Sequence, residues 1–235
     1  MKNPLNSLII ILSAILGLAL VWAMLELPPP RVRLSGQVLA QIDASGVAHP
    51  VTAVLLNFRG YDTLLEVAVL LLALLGVLAQ TASRKQRHMP AGHRFAPSDL
   101  QVLQWLARAL VPLMVLVAGY LLWAGAHRPG GAFQAGAVLA AAGVLLNLAG
   151  LLPVWAAPAR TLRAGLVSGL LIFLAVAAAV MTSAPPPGLL LQYPSAWAGA
   201  LILLIEAGLT LSLGLILAGL FLFLTDDTAG NETEK

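Results

Sequence analysis

Cysteine is absent from this 235-residue chain, and charged residues make up only 10% of it. Without a thiol, the chain can form no disulfide, hold no iron–sulfur cluster through thiolates and use no cysteine nucleophile. Redox chemistry on the chain itself is therefore not expected. Soluble domains contain roughly a quarter charged residues, so the scarcity of charge excludes an ordinary soluble protein. What the chain has instead is apolar side chains, since 60% of its residues are hydrophobic.

Long apolar runs recur along the whole sequence and leave no soluble domain of useful size between them. A helix needs about 20 apolar residues to cross the hydrocarbon core of a bilayer. Unbroken runs of Leu, Ala, Val and Ile satisfy their backbone groups in lipid only as helices. The sequence predicts an all-α integral membrane protein with about six transmembrane helices. The predicted spans are 5–25, 62–79, 102–125, 131–152, 162–182 and 196–224.

The first span follows a single lysine, Lys2, and has the apolar length of a signal-peptide core. No small-x-small cleavage site follows it before the prolines at 28–30, so we interpret it as an uncleaved membrane anchor. The stretch 28–57 is too polar at its start to span. It either forms a short extracytoplasmic element or re-enters the membrane at 51–56, and the sequence leaves both open.

Basic residues cluster in two loops beside the spans, whereas the loop 183–195 carries no charge. The basic residues are Arg84, Lys85, Arg87 and Arg94 in the longer loop and Arg160 and Arg163 in the shorter one. Because positively charged loops face the cytoplasm, both termini and the acidic tail 226–235 are predicted to be cytoplasmic. The same rule accounts for the net charge of +3 without a nucleic-acid partner.

The second span begins with three ionisable residues. Arg59, Asp62 and Glu66 are spaced at i, i+3 and i+7 and therefore share one helical face. Glu66 lies about one turn inside the span, where an ionised carboxylate is costly unless it is compensated. Two interpretations stay open on position alone. The three form either an ion pathway that descends into the bilayer, or an ordinary boundary whose glutamate reaches back to headgroup water.

A second acid, Glu206, lies near the middle of the apolar length of the last span. Its side chain is too short to reach water easily from that depth. Thr210 and Gly214 continue its helical face, which gives a narrow polar strip suited to a helix contact or a hydrated path. A functional or assembly role is favoured over a tolerated structural residue.

A glycine-rich turn precedes the fourth span. Pro129, Gly130 and Gly131 make a tight turn into the helix. Small residues then recur every three or four positions and let another helix approach closely; they are Ala132, Gly136, Ala140 and Gly143. Helix packing is favoured over an anion site at the helix N-terminus. No metal site is expected from His88 and His93, because they lack further convincing ligands.

The stretch 51–79 resembles MbhE, a two-span unit of membrane-bound hydrogenases that also forms the C-terminal end of the Mrp antiporter subunit MrpA. The matching residues are Phe58, Arg59-Gly60-Tyr61-Asp62-Thr63 and Glu66. From about residue 100 the chain resembles MrpB. The matching turn is Pro129-Gly130-Gly131-Ala132-Phe133 with Gly136 after it, and alanine replaces one glycine of the family pattern. In "LLIEAGLTLSLG", Glu206 stands for the family's acid.

The resemblance implies a fusion of two units. An MbhE-like two-helix unit would occupy 1–82, a basic cytoplasmic linker 83–99, an MrpB-like four-helix unit 100–225 and an acidic tail 226–235. The implied protein is a non-enzymatic membrane subunit of a multisubunit Na⁺/H⁺ antiporter in a bacterial or archaeal cytoplasmic membrane. It would assemble with other Mrp-type subunits and need no cofactor. Glu66 is expected to carry protons or Na⁺, with Asp62 and Arg59 tuning it, and Glu206 comes next.

Two alternatives stay open. The chain could serve a hydrogenase-type or ferredoxin-linked respiratory complex that pumps H⁺ or Na⁺, in which case genes for catalytic and iron–sulfur subunits would lie beside its own. It could also be a scaffold whose acids only pair with partner helices. The scaffold hypothesis predicts that Glu66→Gln harms assembly rather than transport.

Overall fold

All secondary structure in the described residues of the computed structural model is helical. The described residues are 4–28, 34–85, 97–151, 160–183, 191, 193–194 and 196–229. The α-helices are α1 (Pro4–Leu25), α2 (Leu34–Ala40), α3 (Pro50–Ala53), α4 (Gly60–Lys85), α5 (Pro97–Ala124), α6 (Ala132–Leu148), α7 (Arg160–Ser183) and α8 (Ala198–Ala229). Within these residues, five helices are long and apolar enough to cross a membrane and α6 is a shorter apolar helix. The predicted all-α membrane fold is confirmed.

Several predicted features lie outside the described residues. They are residues 29–33 of the stretch 28–57, residues 86–96 of the basic linker with His88 and His93, residue 152 at the end of the fourth predicted span with the loop residues 153–159, residues 184–190, 192 and 195 of the uncharged loop, and residues 230–235 of the acidic tail. The cytoplasmic location of both termini stays a prediction.

The chain divides into two compact units, residues 1–37 and 38–235. The first unit contains α1, whose side chains from Leu8 to Leu25 are all exposed. Apolar on all sides, α1 has the composition of a membrane span. The helices from α3 to α8 belong to the second unit, which contains the residues discussed below.

The helix α8 forms the centre of the second unit. More than half of its spanning segment is buried, and both α6 and α7 pack along it. Glycines make these approaches close: a Cβ at Gly169 of α7 would lie 3.0 Å from the carbonyl oxygen of Gly208. The Ser212 hydroxyl donates a 2.6 Å hydrogen bond to the carbonyl oxygen of Leu166, which ties α8 to α7. Small residues and such polar contacts hold helices together where lipid provides no hydrophobic driving force.

The helix α6 is shorter than the span predicted over 131–152. It has 17 residues, or about 26 Å of helix, against a hydrocarbon core of about 30 Å. Both ends are set by glycines with positive φ, +107° at Gly131 and +68° at Gly150. The predicted span runs to residue 152 because residues 150–152 are apolar. The helix ends at Leu148, and the backbone turns at Gly150. Along its length α6 runs parallel to α8, with Gly136 against Leu213 and Gly143 against Ala218.

Residues 42–58 form a cover of short helical pieces rather than a span. A 3₁₀ turn (Ile42–Ser45) is followed by α3 and by a π-helical turn (Val54–Phe58). Asn57 Nδ2 donates to the carbonyl oxygen of Ser45 over 2.9 Å, which closes the cover on itself. Its buried side chains Val47, Ala53 and Leu56 join the same core as Ile202 and Ile205 of α8. We refer to residues 42–58 below as the cover.

Candidate functional site

Glu206 is buried inside the second unit, with 3% of its surface exposed. It lies eight residues after the start of α8, or about 12 Å along the helix axis. Thr210, on the same face, donates from its hydroxyl to the backbone carbonyl of Glu206 over 2.8 Å. The polar strip predicted from this spacing is therefore buried, and its hydroxyl is satisfied by its own helix.

The glycine-rich turn between α5 and α6 lies directly against the Glu206 carboxyl group. A Cβ added at Gly131 would lie 2.8 Å from Glu206 Oε1, and one at Gly125 would lie 3.2 Å from the same oxygen. Gly131 also has a φ of +107°, a conformation that side chains strongly disfavour. Glycine is thus required here twice, for the backbone conformation and for the approach of the carboxyl group.

The carboxyl group of Glu206 accepts a backbone hydrogen bond at Ala132, the first residue of α6. The N-terminus of a helix presents unpaired N–H groups and a partial positive charge, and it favours anions. The group that meets this N-terminus is therefore a side chain of the same protein. The turn and Glu206 appeared as separate features in the sequence, and the structure brings them together.

The remaining predicted residues of the turn have different surroundings. Pro129 is exposed, and Gly130 lies so close to α5 that an added Cβ would meet the Leu121 carbonyl oxygen at 2.5 Å. That same oxygen accepts a 2.8 Å hydrogen bond from the Gly131 N–H. Phe133 is half-buried against the core. A Cβ at Gly136 would lie 2.9 Å from the Cβ of Leu213 in α8.

The cover holds the α5–α6 turn by three hydrogen bonds. The N–H groups of Ala48 and His49 both donate to the carbonyl oxygen of Ala126 over 3.0 Å. The Thr52 hydroxyl donates to the carbonyl oxygen of Gly125 over 2.5 Å. Sequence reasoning missed Thr52, since its partner is 73 residues away and nothing in the local pattern indicates that contact.

Three buried polar atoms in the described residues have no hydrogen-bond partner: His49 Nδ1, the Tyr193 hydroxyl and Glu206 Oε2. Buried polar groups are nearly always paired, and an unpaired one requires an explanation such as a proton, a water or an ion. Tyr193 precedes α8, and burial raises the pKa of its phenol above the ordinary value. Tyr193 is therefore protonated and neutral, whereas Glu206 Oε2 is the free end of an acid.

The three charged residues at the start of α4 are exposed, in contrast to the buried Glu206. Arg59 and Asp62 form an ion pair, and Glu66 is exposed one turn further along the same face. No ion pair to Glu66 is found in the described part of the chain. The adjacent face of α4 is buried, and there Thr63 donates to the carbonyl oxygen of Leu55 over 2.6 Å. We refer to Arg59, Asp62 and Glu66 together as the outer acidic face.

A cleft of about 630 Å³ opens between the cover, the end of α5 and the start of α8. Asp43 and His127 line it, together with Trp123 of α5 and Leu203 of α8. Leu203 precedes Glu206 by three residues, so the cleft lies about one helical turn from the buried acid. Glu206 does not line the cleft.

Comparison with known proteins agrees with the predicted resemblance. Residues 102–199 match a family model described as a domain related to the MnhB subunit of Na⁺/H⁺ antiporters. Among solved structures, a chain of the Mrp complex from Dietzia sp. DQ12-45-1b is 26% identical, with a TM-score of 0.71 over 95% of this chain. This chain spans only 26% of the length of that one. Among curated proteins, no sequence matches.

A second solved structure has the same fold. It is a chain of the membrane-bound sulfane sulfur reductase, an archaeal respiratory membrane complex, with 23% identity and a TM-score of 0.64. The alignment covers 93% of this chain and 98% of that one. At this level of identity the likeness concerns the fold.

Proposed function

Because residues 102–199 form a domain related to the MnhB subunit of Na⁺/H⁺ antiporters, we propose that the chain is a membrane subunit of such an antiporter. It acts without enzymatic chemistry and without a cofactor, and its cargo is Na⁺ and H⁺. It assembles with other Mrp-type subunits in a bacterial or archaeal cell membrane. The match to a chain of an Mrp complex over 95% of the sequence supports this assembly.

The structural observation that supports the proposal is the Glu206 site. Insertion of an ionised carboxylate at the centre of a span is unfavourable by about 2.5 to 3.5 kcal/mol. A helix N-terminus in a partly buried geometry stabilises such a charge by up to about 2 kcal/mol. The two contributions oppose each other, because the membrane interior disfavours the charged form of Glu206 and the helix N-terminus favours it. A group that can change its charge inside the membrane suits ion transport better than a purely apolar contact does.

The outer acidic face supplies the second part of the proposed pathway. Asp62 is paired with Arg59, which leaves Glu66 as the acid of this face without an ion pair in the described residues. A carboxylate on the outer surface of a spanning helix is stable only where water or a partner side chain reaches it. We assign this face to a contact with another subunit, where Glu66 exchanges protons or Na⁺.

The proposal is tested by removing the chain from its complex. Membrane vesicles that contain the other subunits are prepared with and without this chain, and Na⁺-dependent collapse of an imposed pH gradient is measured. Exchange is expected only when the chain is present, and it should return when the chain is supplied again. Equal exchange in both preparations contradicts the proposal.

The likeness to an archaeal respiratory complex concerns the fold and does not favour a redox-driven pump over an antiporter. The two differ in what drives the ion movement. An antiporter exchanges Na⁺ for H⁺ in vesicles without any electron donor, whereas a redox-driven pump moves no ions until a donor is added. The same vesicles therefore separate the two functions.

A further inference from the structure

We propose that the exposed face of α5 binds the headgroup of an anionic phospholipid through Arg108, at the membrane surface where α6 ends. The site consists of Gln101, Trp105 and Arg108, which share one face of the helix. It is separate from Glu206 and from the outer acidic face. The inference needs only that α5 spans a membrane, and it does not depend on which ion the complex transports.

Two exposed tryptophans mark the two membrane surfaces along α5. Trp105 and Trp123 are 67% and 64% exposed, and they lie 18 residues apart. That number of residues makes five full helical turns and about 27 Å of length. Both rings therefore lie on one face, separated by nearly the thickness of the hydrocarbon core. Because tryptophan is enriched at both membrane surfaces, we assign this face of α5 to lipid.

The contact between α5 and α6 places the membrane surface at the same level independently. The helix α6 ends at Leu148. Gln104, which precedes Trp105, donates from Nε2 to the carbonyl oxygen of Ala149 over 3.1 Å. Backbone that has left its helix is not tolerated against lipid tails, so the hydrocarbon on this side ends close to the level of Gln104. The position of Trp105 agrees with that boundary.

Arg108 lies three residues inside this boundary and is exposed. A guanidinium group stays charged in proteins, and no ion pair to Arg108 is found among the described residues. Side chains on a helix lean toward its N-terminus, and long basic side chains near the end of a span reach back to the membrane surface. Three residues are about 4.5 Å of helix, which an arginine side chain can cover. Its charge therefore lies at the level of the lipid headgroups.

The donors of this face fit the phosphate of a lipid. A guanidinium group binds phosphate oxygens through paired N–H groups. Gln101 is exposed and lies two turns nearer the α5 N-terminus on the same face, where its amide adds N–H donors. A zwitterionic headgroup brings its own cation close to the arginine, whereas an anionic headgroup does not. In addition, α5 follows the basic linker on the side predicted to be cytoplasmic, and that leaflet carries anionic lipids.

Photocrosslinking of the purified, assembled complex tests the site. The complex is incubated with phosphatidylglycerol that carries a photoreactive group beside its headgroup, and labelled peptides of this chain are identified by mass spectrometry. We expect labelling around residues 101–108. In Arg108→Gln this labelling should fall by about fivefold, the contribution of one basic residue near an anionic lipid surface. Arg108→Lys keeps the charge and should retain more labelling than Arg108→Gln.

The matched control is Arg163→Gln, which removes an exposed arginine near the start of α7 and should leave the labelling of α5 unchanged. Phosphatidylcholine with the same photoreactive group should label α5 several-fold less. Equal labelling of the wild type and Arg108→Gln, or equal labelling by the two lipids, would overturn the proposal. An unlabelled α5 in the assembled complex would also overturn it, as would a loss of copurification in Arg108→Gln that Arg108→Lys restores. Either result would mean that a partner subunit, and not a lipid, covers Arg108.

Discussion

Glu66 and Glu206 are both single carboxylates in apolar helices, but their surroundings are opposite. Glu206 is buried within one chain, where its carboxyl group lies against two glycines and accepts a hydrogen bond at a helix N-terminus. Glu66 is exposed on the outer surface of α4 beside an ion pair. Glu206 therefore has its surroundings within the chain, whereas the described residues supply no ion-pair partner to Glu66. Mutations in the two regions should accordingly have different consequences.

Replacing the buried acid is expected to have the largest effect. In Glu206→Gln the side chain keeps its shape and can still accept the backbone hydrogen bond at Ala132, but it can no longer take up a proton. We expect Na⁺/H⁺ exchange to fall by about a hundredfold or more, the usual contribution of a positioned proton-transfer group. The measurement is exchange in vesicles normalised to the amount of assembled complex. The control is Glu26→Gln, which changes an exposed acid directly after α1. Normal exchange in Glu206→Gln would place this acid outside the pathway.

Adding one methyl group at Gly131 should lower the stability of the fold around the buried acid. In Gly131→Ala the new Cβ would lie 2.8 Å from Glu206 Oε1 at a φ of +107°, and strained backbone of this kind costs about 1 to 3 kcal/mol. The matched control is Gly119→Ala in α5, where a Cβ meets nothing within 4 Å. Thermal unfolding of the purified protein should show a lower melting temperature for Gly131→Ala alone. Equal melting temperatures for the two variants would contradict the described turn.

The hydrogen bond from the cover to the turn should contribute less. Thr52→Val keeps the side-chain volume but leaves the Gly125 carbonyl without its donor, and an unsatisfied buried group costs about 1 to 3 kcal/mol. Thr52→Ser keeps the hydroxyl and should retain most of the stability. Denaturation of the two variants side by side provides the measurement. A Ser variant no better than Val would mean that Thr52 acts through its methyl group.

The outer ion pair should matter least for stability. Arg59 and Asp62 are both well exposed, and exposed pairs contribute roughly 0 to 1 kcal/mol. Arg59→Gln should therefore leave the melting temperature of the isolated chain nearly unchanged, whereas its effect on exchange by the assembled complex should be clear. A large loss of stability in the isolated chain would mean that the outer acidic face belongs to the fold rather than to a subunit contact.

The long helices could be predicted from the sequence because hydrophobic length alone determines a membrane span. The end of α6 could not, since residues 150–152 continue the apolar pattern while the backbone turns at Gly150. The outer acidic face was visible because its three residues lie within eight positions of one another, at helical spacing. The contact between Glu206 and Gly131 was not visible, because local periodicity carries no information about residues 75 positions apart in the chain.

The structure of the cover could not be predicted from the local sequence pattern either. Residues 42–58 lack the length of a span and the regular period of a single helix, and the sequence left their structure open. What holds them is a set of long-range contacts, including Thr52 with Gly125 and Gly46 with Gly199 of α8. These contacts join parts of the chain that the predicted boundary at 83–99 assigns to different units.

Na⁺-dependent proton exchange by the assembled complex carrying Glu66→Gln tests the central claim most directly. If the outer acidic face is part of the ion pathway, the variant subunit copurifies with its partners and exchange is lost or greatly weakened. Exchange at the wild-type rate in a fully assembled complex would contradict the claim, and failure of the variant to copurify would instead support the scaffold hypothesis.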